Sequence, residues 1–139
     1  MIQKSSETLL LPPEARSSSM SRRFVEHALT RWQLGALSDV AVLLTSELVT
    51  NAIVHAQTEV VVTITRDDAR TITVAVSDSS CSAPRLQRHS DDAATGRGLG
   101  ILDALASSWD VVSGTHGKTV TFTLRHPTVP ESRSSFDPR

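Results

Sequence analysis

An α+β sandwich, with a mixed but mostly antiparallel sheet of about five strands and three helices on one face, is the fold class this sequence predicts. Three observations carry it. Two pairs of β-branched segments are each joined by a short polar or glycine-bearing turn. Two long stretches have apolar residues at helical spacing near the start, and a third follows a glycine cluster. The order is β-α-α-β-β-loop-α-β-β, segregated rather than strictly alternating, which disfavours a parallel sheet.

The elements follow in order. Thr8-Leu9-Leu10-Leu11 before Pro12-Pro13 reads as an edge strand, since proline cannot continue a central one. Pro13 suits a first helical position and Glu14 favours the same helix end. Phe24, Val25, Ala28, Leu29 and Trp32 then recur at steps of three and four, with Gly35 as the expected stop. Ser38 is the expected N-cap of a second helix with Asp39 in its first turn and a body over 40–56. Val60 to Thr65 and Thr71 to Val76 form a hairpin around the polar turn Arg66 to Arg70. Ser77 to Thr95 has no apolar period, and a loop that long in a compact domain is commonly functional. Leu99, Ile101, Leu102, Leu105 and Ala106 mark a third helix, and a last hairpin turns around Gly114 and Gly117. A single domain is expected over 1–126, with a disordered tail over 127–139, where Ser, Pro and charge dominate. No internal repeat is visible.

Composition bounds the partners. A chain of 139 residues buries roughly 68–70% of its unfolded surface, enough for a core without metal or disulfide. Formal charge is −1, so overall electrostatics favour neither nucleic acid nor an anionic membrane. The one cysteine, Cys81, excludes an internal disulfide and suits a reducing compartment. The first residues lack the apolar run of a signal peptide, and no stretch approaches ~18 consecutive apolar residues. The expectation is a cytoplasmic protein with no membrane association.

The second helix carries the strongest chemical signal. Between Val40 and Thr58 the only formally charged side chain is Glu47, set among Leu43, Leu44, Leu48, Val49, Ala52, Ile53 and Val54. Glu47, Asn51 and His55 are spaced i, i+4, i+8 and share one face within about 80°. On a buried helix such groups cost desolvation unless satisfied. They form either a polar network that fixes helix packing or a metal and phosphate site, in which Glu acts as a base and Asn offers a carbonyl oxygen to Mg²⁺. His55 alone reads as structural.

Gly96-Arg97-Gly98-Leu99-Gly100 lies between the long loop and the third helix. Glycines there let backbone approach an anion, and the first N–H groups of a helix favour negative charge, although a flexible helix start has the same composition. The dinucleotide fingerprint fails, because its third glycine would be Ile101 and no strand precedes it. A P-loop at Gly114 to Thr119 fails too, because its first glycine is Val112 and a strand follows instead of a helix. Asp78 closes a strand, where aspartate is ordinarily a turn residue; ionised, it is also a pure acceptor for an adenine amino group.

Together these segments resemble the boxes of the GHKL (histidine kinase-like) ATPase superfamily. Glu47-Leu-Val-Thr-Asn51-Ala-Ile-Val-His55-Ala resembles its N-box, Val76-Ser-Asp78 the start of the next box, Gly96 to Gly100 the phosphate box, and Gly117-Lys-Thr119 the last. The order is right and covers about residues 36 to 125. The short length and opening helix look most like the anti-sigma-factor serine/threonine kinase branch, as in compact actinomycete ATP-binding regulators.

The resemblance implies a Bergerat-type ATP-binding fold with ATP and Mg²⁺ as cofactors. Asn51 would coordinate Mg²⁺, and Glu47 would orient or deprotonate the nucleophile. Asp78 would accept the adenine amino hydrogen with Thr119 beside it, through water or directly. The backbone at Gly96, Gly98, Leu99 and Gly100 would hold phosphates, with Arg97, Arg85 and Arg88 as lid charges and His55 at the site's edge. The implied function is a protein kinase acting on a small anti-anti-sigma-type partner, coupled to a sigma factor and possible as a homodimer; the alternative is a non-catalytic or degenerate ATP-binding module that sequesters a sigma factor or other partner. Ser80 and Ser82 stand where the family has glycines, which motivates that alternative. No phosphoacceptor-histidine helix pair is seen, against histidine kinase activity.

Overall fold

Alternation along the strands decides which face of the sheet is covered. The structure, a computed structural model, describes residues 4–80, 85–86 and 100–127. β1 (Ser5–Leu11) leads into α1 (Arg16–Arg31), a 3-10 turn (Gly35–Leu37) and α2 (Ser38–Ala56). β2 (Val60–Arg66), β3 (Thr71–Asp78) and the two-residue β4 (Arg85–Leu86) follow. Residues 100–105 are helical and are denoted α3. β5 (Ser108–Gly114) and β6 (Gly117–Arg125) close the fold.

Val60, Val62 and Ile64 of β2, Ile72, Val74 and Val76 of β3, and Val120, Phe122 and Leu124 of β6 are buried on the helix side. They meet Val25, Ala28 and Leu29 of α1, Ala41, Leu44, Leu48, Val49 and Ala52 of α2, and Leu102 of α3 in one core. The opposite face is open and rich in hydroxyls, as expected for an antiparallel sheet covered on one side. Its cross-strand pairs include Ser6–Thr65 (3.0 Å) and Ser77–Thr119 (2.9 Å).

The strand order is β1-β2-β3-β6-β5-β4. Among the described residues every pairing is antiparallel, so the expected mixed sheet is in fact uniform. The reason is topological: two helices between β1 and β2 return the chain reversed, and the remaining neighbours include two hairpins. The sixth strand, β4, comes from the segment read as loop; it pairs at Arg85↔Ser113 and Leu86↔Val112.

Helix ends depart most from expectation. α1 starts at Arg16 rather than Pro13, because the Glu14 and Ser17 amides bond to Pro12 and Glu14 carbonyls in a preceding turn. Its C-terminal reversal falls on Gln33 (φ 60), not Gly35, which opens the 3-10 turn instead. Ser38 is already helical, with no side-chain cap bond at this end. α2 closes on Gln57 in the left-handed conformation. By length and composition Gly35–Ala56 is apolar enough to cross a membrane; here it packs on α1, β2 and β3. In the β2–β3 turn, the Arg70 amide bonds to Asp68 and holds its carboxyl below the usual value.

Candidate functional site

Glu47 and Asn51 sit on α2, one turn apart, and both are half-buried. Neither side chain makes a hydrogen bond or an ion pair among the described residues. A packing network would tie them to neighbours; an acid and an amide left open to solvent are available to a ligand instead. Thr50, whose hydroxyl lies 2.7 Å from that of Ser18, marks the side of α2 toward α1. Asn51 is a further ~100° around the helix. His55, two turns beyond Glu47, is exposed. Among the described residues no three His, Cys, Asp or Glu side chains cluster as a metal cage. Mg²⁺ does not need such a cage, because it keeps waters and takes few protein oxygens alongside phosphates. An unpartnered amide with an acid a turn away is a fitting hard-oxygen set for it.

The other half of the candidate site is the end of β3. Asp78 is 7% exposed. Its Oδ1 accepts hydrogen bonds from the Ser80 amide (3.0 Å) and the Lys118 amide (3.3 Å). The turn role expected of an aspartate here is therefore real, and it occupies one oxygen. Oδ2 has no partner among the described residues, so a second function is left to it. Ser80, where the family pattern has glycine, does not have a positive φ, so its side chain costs the backbone nothing.

Gly117 holds this arrangement from across the sheet. The β5–β6 turn puts Thr115 and His116 at its tip, both without positive φ, and the positive value falls on Gly117 (φ 128). A Cβ there would stand 2.0 Å from the Asp78 carbonyl oxygen. Only glycine fits. Val60 pairs with Asp78, and the Ser79 amide bonds to the Thr58 hydroxyl (3.0 Å), so the end of α2 and the end of β3 are joined at one corner. A cleft of about 530 Å³ opens beside the β5–β6 turn, lined by residues including Ser77, Asp78, Ser79, Val112, His116 and Thr119; Ser77, Val112 and Thr119 place it on the hydroxyl-rich face of the sheet, away from α2. Glu47 and Asn51 do not line it.

Thr119 requires a correction. It pairs with Ser77 and bonds to its hydroxyl, while Asp78 pairs with Lys118. Neighbours along a strand point to opposite faces, so the Thr119 hydroxyl and the Asp78 carboxylate lie on opposite sides of the sheet. Lys118, not Thr119, shares the face of Asp78. Of the phosphate glycines, Gly100 is described: it is exposed and a Cβ would meet nothing within 4 Å. Gly96, Arg97, Gly98 and Leu99 lie outside the described residues, as do Ser82, Arg88 and the tail from 128. Arg85 is placed by its backbone in β4.

The sequence reading missed Gly117 as a steric requirement, and missed Thr58 and the Lys118 amide as supports of Asp78. Only Gly117 left a trace, as a second glycine closing a two-residue turn.

Comparison with known proteins agrees with this fold. No curated protein sequence matches. Among solved structures, a chain described as the RsbU and RsbW domains of Rv1364c from Mycobacterium tuberculosis superposes with a TM-score of 0.65 at 22% identity. The match covers 87% of this chain and 32% of that one, so the present chain corresponds to about a third of it. At this identity the likeness is one of fold. A comparison with protein families matches residues 11–124 to the histidine kinase-like ATPase domain. That span includes both halves of the site, from Glu47 and Asn51 to Asp78 and Gly117, and the chain belongs to the histidine kinase-like ATPase domain family.

Proposed function

We propose that this protein binds ATP with Mg²⁺ and transfers the γ-phosphoryl group to a serine or threonine of a small anti-anti-sigma-type protein, thereby controlling a sigma factor. Family membership supports the nucleotide. The observation that carries the reading is the Glu47–Asn51 pair, half-buried and unpartnered among the described residues on a largely apolar helix. Asn51 would hold Mg²⁺ through its side-chain carbonyl oxygen, and the ion would supply charge neutralisation at the phosphates. Asp78 accepts the adenine amino hydrogen on its open Oδ2, while Oδ1 stays committed to the backbone.

Glu47 then serves as the base. The partner's hydroxyl oxygen attacks the γ-phosphorus, the bond to the β–γ bridging oxygen breaks, and ADP leaves. The hydroxyl proton passes to the Glu47 carboxylate. Phosphoryl transfer needs mainly positioning and charge neutralisation, so a single acid beside a metal ligand is a sufficient protein contribution. Backbone N–H groups at Gly96, Gly98, Leu99 and Gly100, with Arg97, Arg85 and Arg88, are assigned to the phosphates on the family pattern. His55 is assigned to the site's margin, where its exposure permits contact with a bound ligand. A cytoplasmic location follows from the reaction proposed.

The serines at 80 and 82 favour a second reading, an ATP-binding module that sequesters its partner without turnover. Incubation with γ-labelled ATP and candidate anti-anti-sigma proteins separates the two. Label on the partner supports the kinase; tight ATP binding in a parallel titration without label supports the module; no ATP binding removes the kinase and leaves only a degenerate scaffold.

A further inference from the structure

The β2–β3 ladder ends at Val60↔Asp78, and the next amide of the chain, Ser79, has no strand partner to take it. The Thr58 hydroxyl takes it instead, at 3.0 Å, and donates its own hydrogen to the Glu59 carbonyl at 3.1 Å. Thr58 lies one residue after Gln57, the left-handed residue that ends α2. One hydroxyl therefore joins the connection leaving the Glu47–Asn51 helix to the peptide directly after Asp78.

We infer that Thr58 is a positioning residue for adenine recognition: by fixing the Ser79 peptide it sets the direction of the Asp78 carboxylate. This rests on the proposed nucleotide site and adds to it a residue that acts through the Ser79 peptide. Three amides now brace one aspartate. Ser80 and Lys118 hold its Oδ1, and Ser79, held by Thr58, fixes the backbone that carries it. With Oδ1 so engaged, the aim of Oδ2 depends on the peptide geometry at 78–80. Thr58→Val preserves side-chain shape but offers no acceptor, so the Ser79 amide must turn to water or stay unpaired.

The test compares ATP with purine riboside triphosphate, which lacks the 6-amino group. Wild type is expected to prefer ATP, and Thr58→Val to reduce that preference by about three- to tenfold, the span of one neutral hydrogen bond. Thr58→Ser should restore it. Amide hydrogen exchange at Ser79 should quicken in Thr58→Val and not in Thr58→Ser. A merely structural role would weaken both nucleotides equally, and that result, or an unchanged ratio, would overturn the inference. If wild type binds neither nucleotide, the ATP reading falls as well, which distinguishes the two failures. Thr58→Ala replaces the valine variant should valine prevent folding.

Discussion

Gly117→Ala is expected to destabilise the protein by about 3 kcal/mol or more, lowering the melting temperature by roughly 10 °C. Two penalties combine. A φ of 128 is accessible to glycine and strained for any residue bearing a Cβ. The added methyl would also stand 2.0 Å from the Asp78 carbonyl oxygen, a backbone atom that moves only if the end of β3 moves with it. That shift would disturb the bonds to the Asp78 carboxylate, so nucleotide affinity should fall together with stability. Gly114→Ala is the matched control. It lies opposite Gly117 in the same turn, has no strained φ, and a Cβ there meets nothing within 4 Å. Its cost should stay below ~1 kcal/mol. Thermal and urea unfolding of the two variants check the difference. Equal, near-wild-type stabilities would mean that this turn does not press on Asp78 as described.

Glu47→Gln should slow phosphoryl transfer by about 10²–10⁴-fold, the range associated with a positioned general base. The change keeps shape and removes only the ability to accept a proton. Glu47 is half-buried and has no ion pair or hydrogen bond among the described residues, so no buried partner is orphaned. Stability should therefore stay within about 0.5 kcal/mol, and ATP affinity within a few-fold. Single-turnover label transfer and an ATP titration on the same preparation read the two quantities separately. An unchanged transfer rate would remove Glu47 from the chemistry. Loss of ATP binding in step with transfer would make it a ligand of the nucleotide complex instead of a base.

Local rules and non-local contacts explain which parts of this protein were legible. The hairpins over β2–β3 and β5–β6 were readable because β-branched residues alternate with polar ones on both sides of short turns. The helix ends were not. Gln33 and Gln57 adopt the left-handed conformation expected of a glycine, while Gly35 does not, so packing overrode the propensity that would place glycine at each stop. The uniform antiparallel sheet depends on the two-helix return between β1 and β2, which hydrophobic period alone does not specify.

The site divides in the same way. Glu47 and Asn51 stood out because Glu47 is the only formally charged side chain between Val40 and Thr58, in a largely apolar stretch where an acid has few bland uses. Asp78 was placed correctly at a strand end, but its turn bonds and a free oxygen coexist, where the residue type suggested a choice between them. Thr119 was expected beside Asp78, but it pairs with Ser77, and strand parity puts the two side chains on opposite faces. The demand for glycine at 117 comes from a carbonyl 39 positions earlier in sequence (117 − 78), and no local pattern encodes such a contact.

ATP titration of wild type and Asn51→Ala, each with Mg²⁺ and with EDTA, bears most directly on the central claim. Wild type should bind ATP more tightly with Mg²⁺ by about tenfold, a coupling of ~1.4 kcal/mol, with a matching rise in thermal stability as ligand binds the folded state. Asn51→Ala should lose that increment while remaining folded. Magnesium dependence undiminished in Asn51→Ala, or absent from wild type, would contradict a nucleotide–metal complex held by α2.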